Sequence, residues 1–497
     1  MPISALPSPC GIGTLGRSAR DFALFLEEAG QSYWQILPIC PTSYGDSPYQ
    51  SFSTYAGNPY LIDLDDLAGE GLLSPEEYLA LDWGADPAAV DYGLLYERRY
   101  PVLRLACGRF LSRKSRDFDR FCREHAAWLE DYALFMALKG RHGGVSWFEW
   151  PDRERLRDPE TLAAAREELR DECLFWQAVQ YLFFQQWKAL KSYANNRGIS
   201  IIGDLPIYVA GDSADVWAAP EQFQLNAQGY PTEVSGCPPD GFSPDGQLWG
   251  NPLFDWDCIK ADGYAWWLRR IAFQFQICDV LRIDHFRGFD SYYAIPFGDE
   301  TAKNGRWRPG PGMEFFRAVT AALGPRNIIA EDLGFLTPSV RQPLEDTGYP
   351  GMKVLEFAFD SRDGSGNSYL PHNYPRNCVV YTGTHDNDTI LGWMTSAPPA
   401  DVAAAKRYLR LNRREGYHWG MMRGAWASVA DLAVMQMQDL LGLGSAARMN
   451  VPSTVGANWR WRALPGSFSP ALARKLRREM AIYARLPVAA KKEEEHA

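Results

Sequence analysis

Three segments of this 497-residue chain run apolar residues out onto an acid. Val280-Leu281-Arg282-Ile283 ends on Asp284, Ile328-Ile329-Ala330 ends on Glu331, and Val379-Val380-Tyr381-Thr382 leads through Gly383-Thr384-His385 to Asp386. Each reads as a buried strand that delivers a carboxylate at or just past its C-terminal end. Paired carboxyls of this kind suit an oxocarbenium-like transition state, in which a carboxylate attacks an anomeric carbon while a protonated partner gives its proton to the leaving oxygen. Retention of configuration would need those two groups about 5–5.5 Å apart. Arg282 shares a strand face with Asp284 and is expected to keep it ionised. Glu331, held among apolar walls, is expected to keep its proton, as a general acid must near neutral pH. Asp386 is placed to hold substrate hydroxyls. Each acid taken singly reads as well as a helix cap; the set of three is what points to glycosidic chemistry.

His285 and His385, two of the seven histidines, each adjoin one of these acids. Neither segment has an H-x-x-x-H or equivalent spacing, so donation to sugar hydroxyls is the expectation and metal ligation is not.

The acids need a frame that brings strand ends together. Further apolar runs at 34–39, 201–204 and 354–359 read as strands, and a helical pattern at 264–278 precedes the run at 280–284. Strands alternating with helices predict a parallel sheet. Segments 60–64 and 446–451 would raise the strand count to eight, the number that closes a (β/α)8 TIM barrel, whose active sites lie at the C-terminal strand ends. A doubly wound open sheet is the structural alternative; the strand-end acids favour the barrel. Residues 69–197 read as a mainly helical insertion, opened by the capping-box pattern Ser74-Pro75-Glu76-Glu77, and 400–443 as a second helical elaboration. The Gly-rich, Trp-bearing stretch 236–252 reads as a lid loop. With no internal repeat, the whole of 1–497 is expected to form one catalytic domain.

Composition narrows the partners. The excess of 61 acidic over 51 basic residues argues against nucleic acid, and 18 Trp with 24 Tyr supply flat faces suited to sugars. Nine scattered cysteines without a C-x-x-C pair suit a reducing compartment. No run offers the roughly 18 uncharged apolar residues of a membrane span, and the first residues lack a signal-peptide pattern, so a cytoplasmic protein is expected. Gly11-Ile12-Gly13-Thr14-Leu15-Gly16 matches the dinucleotide-binding pattern, but the preceding Pro7-Ser8-Pro9-Cys10 cannot be a buried strand, and the match is set aside as a loop before a helix at 18–30.

At these residues the chain resembles glycoside hydrolase family 77, the amylomaltases or disproportionating enzymes. The resemblance is carried by Pro7-Ser8-Pro9-Cys10-Gly11-Ile12-Gly13, Gly45-Asp46-Ser47-Pro48-Tyr49-Gln50-Ser51, Gly203-Asp204-Leu205-Pro206-Ile207-Tyr208-Val209, Gly246-Gln247-Leu248-Trp249-Gly250-Asn251-Pro252, the three acidic segments and Arg448-Met449-Asn450-Val451-Pro452. It implies a 4-α-glucanotransferase on an α-amylase-like barrel, with α-1,4-glucans as donors, glucans or glucose as acceptors, and neither metal nor organic cofactor. It further implies that Asp284 is the nucleophile of a covalent β-glucosyl-enzyme intermediate, Glu331 the acid/base, and Asp386 the carboxylate that grips the distorted sugar. Asp204, Arg282, His285 and His385 would surround that sugar, Tyr49 would stack on it, Ser47 would contact the glucan, and 236–252 with Trp249 would cover the acceptor side. Family members often carry a larger residue where this chain has Gly241. A hydrolase of the same glucans would use the same acids, and a glucan-binding barrel without activity is the reading of a different class.

Overall fold

The computed structural model describes residues 1–43, 45–239, 244–334, 338–360 and 366–487. Among them eleven strands form two sheets: β1 (Tyr33–Gln35), β2 (Ser200–Leu205), β3 (Glu233–Cys237), β4 (Gln247–Pro252), β5 (Val280–Ile283), β6 (Ser291–Pro296), β7 (Arg306–Pro309), β8 (Ile328–Ala330), β9 (Gly351–Val354), β10 (Cys378–Tyr381) and β11 (Leu432–Val434). Seven of them pair in the order β1-β2-β5-β8-β9-β10-β11, every pair parallel. Ile202, Ile329, Met352, Val354, Val379 and Tyr381 pack together in one cluster with Val280, Leu432 and Val434 against it. Side chains from six consecutive strands can meet in this way only if the sheet curls around them. The Tyr381 hydroxyl closes the circuit by donating to Gln35 Oε1 of β1 at 2.9 Å. The result is a near-closed parallel barrel of the TIM type, and its strands are buried on both faces, which is why β2, β8 and β10 read as unbroken apolar runs.

The strands at 34–39, 201–204, 280–284, 328–331 and 379–382 are found within a few residues of expectation. Segment 354–359 is strand only up to Val354 and then turns into a 3-10 helix, Leu355–Phe359. The two segments that raised the count to eight are not strands. Around 60–64, Pro59 opens a 3-10 turn, Asn58 accepts from the Tyr60 amide, and Asp63 caps the following helix Leu64–Gly69, so local capping wins over the apolar pattern. Segment 446–451 is a 3-10 turn, Ser445–Ala447, followed by chain without regular structure. The seventh strand is instead β11, inside the stretch 400–443 expected to be helical. It has three residues, all half-buried, too short to leave a periodic signal.

Residues 69–197 carry the long helices Tyr92–Leu111, Ala126–Arg141 and Arg170–Asn195. The Ser74 capping box is present but opens a single 3-10 turn, Pro75–Glu77. The stretch 236–252 runs through β3 and β4, which belong to a four-stranded antiparallel sheet ordered β4-β3-β6-β7; Gly241 lies outside the described residues. Helix Ala265–Ile277 buries Trp266, Trp267, Ile271 and Phe273, and its Arg270 reaches under the end of β2. That buried guanidinium donates to Ile207 O (2.9 Å), Pro206 O (2.7 Å) and Thr54 Oγ1 (2.8 Å), which holds the loop leaving β2. In the G-x-G-x-x-G segment, a Cβ on Gly13 would stand 1.8 Å from Ile3 O and one on Gly16 2.1 Å from the Asp63 carboxyl. These glycines serve close packing ahead of helix Arg17–Glu28. Among the described residues, no helix is long and apolar enough to cross a membrane.

Candidate active site

The register of β2 against β5 sets Asp204 directly beside Arg282. Both are buried, and Arg282 Nη1 contacts both Asp204 oxygens at 2.6 and 2.8 Å. Its Nη2 reaches Asp284 Oδ1 at 3.1 Å, and its Nε lies against Met352 Sδ in the barrel interior. A guanidinium, with donors spread over a rigid planar fork, reaches the two carboxylates from separate nitrogens in a fixed geometry. Side chains two apart share a strand face, so the parity that turns Arg282 inward also brings Asp284 to the mouth.

Glu331 follows β8, the next strand. Its carboxyl accepts from two backbone amides, His285 N at 2.7 Å and Leu333 N at 2.8 Å, which fixes it against the turn after Asp284. Burial pushes both Asp284 and Glu331 above the ordinary carboxylate range. At Asp284, Arg282 opposes this, while Asp204, Glu331 and Asp386 add to it; at Glu331, Arg282 and the two amides oppose it. The expectation that Arg282 keeps Asp284 ionised is therefore corrected: its double contact goes to Asp204, and like charges crowd Asp284.

The third acid is built by the loop after β10. Asp386 Oδ1 accepts from Asn450 Nδ2 at 2.6 Å and lies 3.4 Å from His385 Nε2, while Arg448 Nη2 donates to the Asp386 carbonyl at 2.5 Å. The Tyr49 hydroxyl donates to Asp204 Oδ2 at 2.7 Å and stands 3.4 Å from His385 Nδ1, and the two rings stack with centroids 5.0 Å apart. Ser47 Oγ accepts from the Tyr49 amide at 3.3 Å, so it shapes the turn that aims Tyr49.

His285 occupies the left-handed region at φ 50°, a conformation that side chains other than Gly enter at a cost of about 1–3 kcal/mol and that gathers at functional sites. Burial, reinforced by Arg287, lowers its pKa to about 3, which leaves the ring neutral, and its buried Nε2 has no hydrogen-bond partner. Trp249 of β4 stands edge-on to it, 4.8 Å between centroids. Gln50 Nε2 donates to Asn251 Oδ1 at 3.4 Å and Trp249 O at 3.5 Å, tying the loop that carries Tyr49 to the sheet that carries Trp249.

All ten residues singled out in the sequence thus belong to one constellation at the strand ends. Among the described residues, no group of three or more His, Cys, Asp or Glu is arranged to hold a metal ion. The constellation also contains Asn450, Arg448 and Trp459, whose ring lies 5.8 Å from Tyr49 and 5.7 Å from His385. None of the three sits on a strand; Arg448 and Asn450 lie in the motif 448–452 that carries the family resemblance, whereas Trp459 had no signal in the sequence.

A family model described as 4-alpha-glucanotransferase matches residues 1–466. The chain belongs to this family, glycoside hydrolase family 77. It is similar to the 4-alpha-glucanotransferase of Clostridium butyricum, with 48% identity over 487 residues covering 98% of this chain and 100% of that one. With the 4-alpha-glucanotransferase of Thermus thermophilus it shares 50% identity, covering 95% of this chain and 96% of that one. Among solved structures it resembles the amylomaltase of Streptococcus agalactiae in complex with acarbose, with a TM-score of 0.96 and 42% identity over 98% of this chain and 99% of that one. The chain is thus a 4-α-glucanotransferase, and the constellation at the barrel mouth is its candidate active site.

Proposed function

We propose that glucan transfer runs by double displacement at the mouth of the barrel, with retention of configuration. Asp284 attacks the anomeric carbon as the glucosidic C–O bond breaks, and Glu331 gives its proton to the departing 4-oxygen. The donor's reducing-end segment leaves, and a covalent β-glucosyl ester on Asp284 remains. Glu331, now ionised, then takes the proton from the 4-hydroxyl of an acceptor glucan or glucose; that oxygen attacks the anomeric carbon and frees Asp284. The burial that raises the Glu331 carboxyl above its ordinary range supports this, since a protonated acid is what the first step needs. Asp386 grips hydroxyls of the distorted sugar, and His285 and His385 donate to them. Asp204 and Arg282 hold Asp284 in line, and Tyr49 offers its ring to the sugar. Ser47 contacts the glucan, and Trp249 with the β3–β4 hairpin covers the acceptor side and limits entry of water.

The single observation that carries this reading is the bridge made by Arg282 between Asp204 and Asp284, with Glu331 pinned to the adjoining turn by two amides. Substrates are α-1,4-glucans, in keeping with the acarbose complex of the Streptococcus agalactiae relative. Nine free cysteines favour a reducing, cytoplasmic setting. The test is incubation with maltotriose alone. Glucose appearing with maltopentaose and longer chains at constant total reducing ends supports transfer; rising reducing ends without longer products would make the chain a hydrolase.

A further inference from the structure

Behind the loop that carries His385 and Asp386 lies a group of carboxyls that takes no part in the steps above. Glu356, just past the end of β9, is 5% exposed, its amide donates to Thr382 O at 3.2 Å, and its buried Oε1 has no hydrogen-bond partner. Asp439, on the short helix Met437–Leu440 after β11, is 1% exposed. It clamps both ends of the loop, accepting from Thr382 Oγ1 at 2.8 Å and from the Ile390 amide at 2.7 Å. Asp388, within the loop, accepts from Ser445 Oγ and from the Thr389 amide, each at 2.7 Å. Between these groups the chain is packed to contact: a Cβ on Gly383 would stand 2.8 Å from Gln436 Nε2 and 3.4 Å from Glu356 Oε1.

We propose that Glu356 is a positioning residue, an uncharged acid beneath Gly383 whose bulk and neutrality fix the loop that presents His385 and Asp386 to the sugar. This rests on the reading of Asp386 as the carboxylate that grips the substrate. Three observations lead to it. A carboxylate with one oxygen, Oε1, buried and without a hydrogen-bond partner is costly to ionise, which favours the protonated form. The charged groups around it are Asp439 from the helix after β11, Asp388 from the loop, and Arg448 from the segment that also holds the Asp386 carbonyl; two of the three repel a charge on Glu356. Its pKa accordingly lies well above the ordinary carboxylate value, through burial first, then Asp439 and Asp388, with Arg448 opposing. Finally, Glu356 is joined to the loop by its amide bond to Thr382 O, and its Oε1 stands at van der Waals distance from the place a Cβ on Gly383 would take.

The test compares wild type with Glu356→Gln and Glu356→Ala in maltotriose disproportionation, reading kcat and KM separately, and in melting temperature between about pH 6 and about pH 9, where an unperturbed carboxyl is already ionised. Glu356→Gln, isosteric with the neutral acid, is expected to keep kcat within about twofold, and Glu356→Ala to lose about tenfold or more in kcat with a smaller change in KM, a step of about 1.4 kcal/mol. A group whose folded pKa is raised gives up stability as pH climbs from the unfolded towards the folded value. The melting temperature of Glu356→Gln should therefore exceed that of wild type by a margin that widens with pH. Unchanged kcat in Glu356→Ala would overturn the positioning role. A Glu356→Gln variant as slow as Glu356→Ala, or a margin that does not change with pH, would overturn the uncharged acid. Should Glu356→Ala fail to fold, Glu356→Gln decides by itself. A wild type that does not disproportionate maltotriose would count against the proposed function and leave the melting comparison to judge Glu356.

Discussion

Replacing Arg282 by Gln should move the acid limb of the pH–activity profile upward. Attack requires Asp284 to be ionised, and Arg282 Nη2 stands 3.1 Å from its carboxylate. At that separation and an effective dielectric of about 20, the attraction is worth about 5 kcal/mol before water re-enters the space. Opposite charges this close lower a carboxyl pKa by about 1–3 units. Removing the guanidinium withdraws that term, while burial and the charges of Asp204, Glu331 and Asp386 continue to push Asp284 up. The limb of kcat/KM should thus rise by about 1–3 pH units. Arg282→Lys keeps a charge but loses the double contact with Asp204, so its rate should fall with a much smaller displacement of the limb. Asp204 left buried without its partner should also destabilise the Gln variant by about 3–5 kcal/mol, so circular dichroism at the assay temperature must establish that it is folded. A folded Arg282→Gln enzyme whose acid limb coincides with that of wild type would refute the claim that this guanidinium governs Asp284.

Three further outcomes follow from the same contacts. Asp284→Asn should abolish turnover of maltotriose and leave glucan affinity by calorimetry within severalfold of wild type; residual turnover near the wild-type rate would remove Asp284 from the chemistry. Tyr49→Phe deletes the 2.7 Å bond to Asp204 but keeps the ring stacked on His385, so kcat/KM should drop by about 10–100-fold, the equivalent of one charge-assisted hydrogen bond of about 1.5–3 kcal/mol. Asn450→Ala frees Asp386 Oδ1 from its 2.6 Å contact; a roughly tenfold loss in kcat, about 1.4 kcal/mol, with little change in KM is expected, and steady-state kinetics will show instead a pure KM effect if Asp386 acts only in ground-state binding.

How much of this could be read from the residues follows from how each element is stabilised. Strands buried on both faces must be continuous apolar runs, so β2, β5, β8 and β10 announced themselves, and the acids were legible because they interrupt such runs at the mouth. The same rule misled at 60–64. That segment is apolar because it is buried, but Pro59, Asn58 and Asp63 supply caps that turn it into a 3-10 step and then a helix. β11 failed in the opposite sense: three half-buried residues held in place by pairing with β10 carry no pattern of their own, and only the partner strand makes them a strand.

The site shows a related division. Residues on strands or within a few positions of their ends could be located from the runs alone, since parity and register decide which way they point. Arg282 is the instructive case. Spacing placed it correctly beside Asp284, yet the parallel register sets Asp204 against it across the strand boundary, and that neighbour takes the double contact. A charge balance depends on every carboxyl within reach, and three of those around Asp284 arrive from other strands. The same is true of Glu356 and Asp439, which are far apart in sequence and meet only because β9 and β11 flank β10. Single-strand patterns therefore identify which groups stand at the mouth, whereas the protonation each one adopts is a property of the assembled barrel, and pH profiles of the variants above are the direct way to read it.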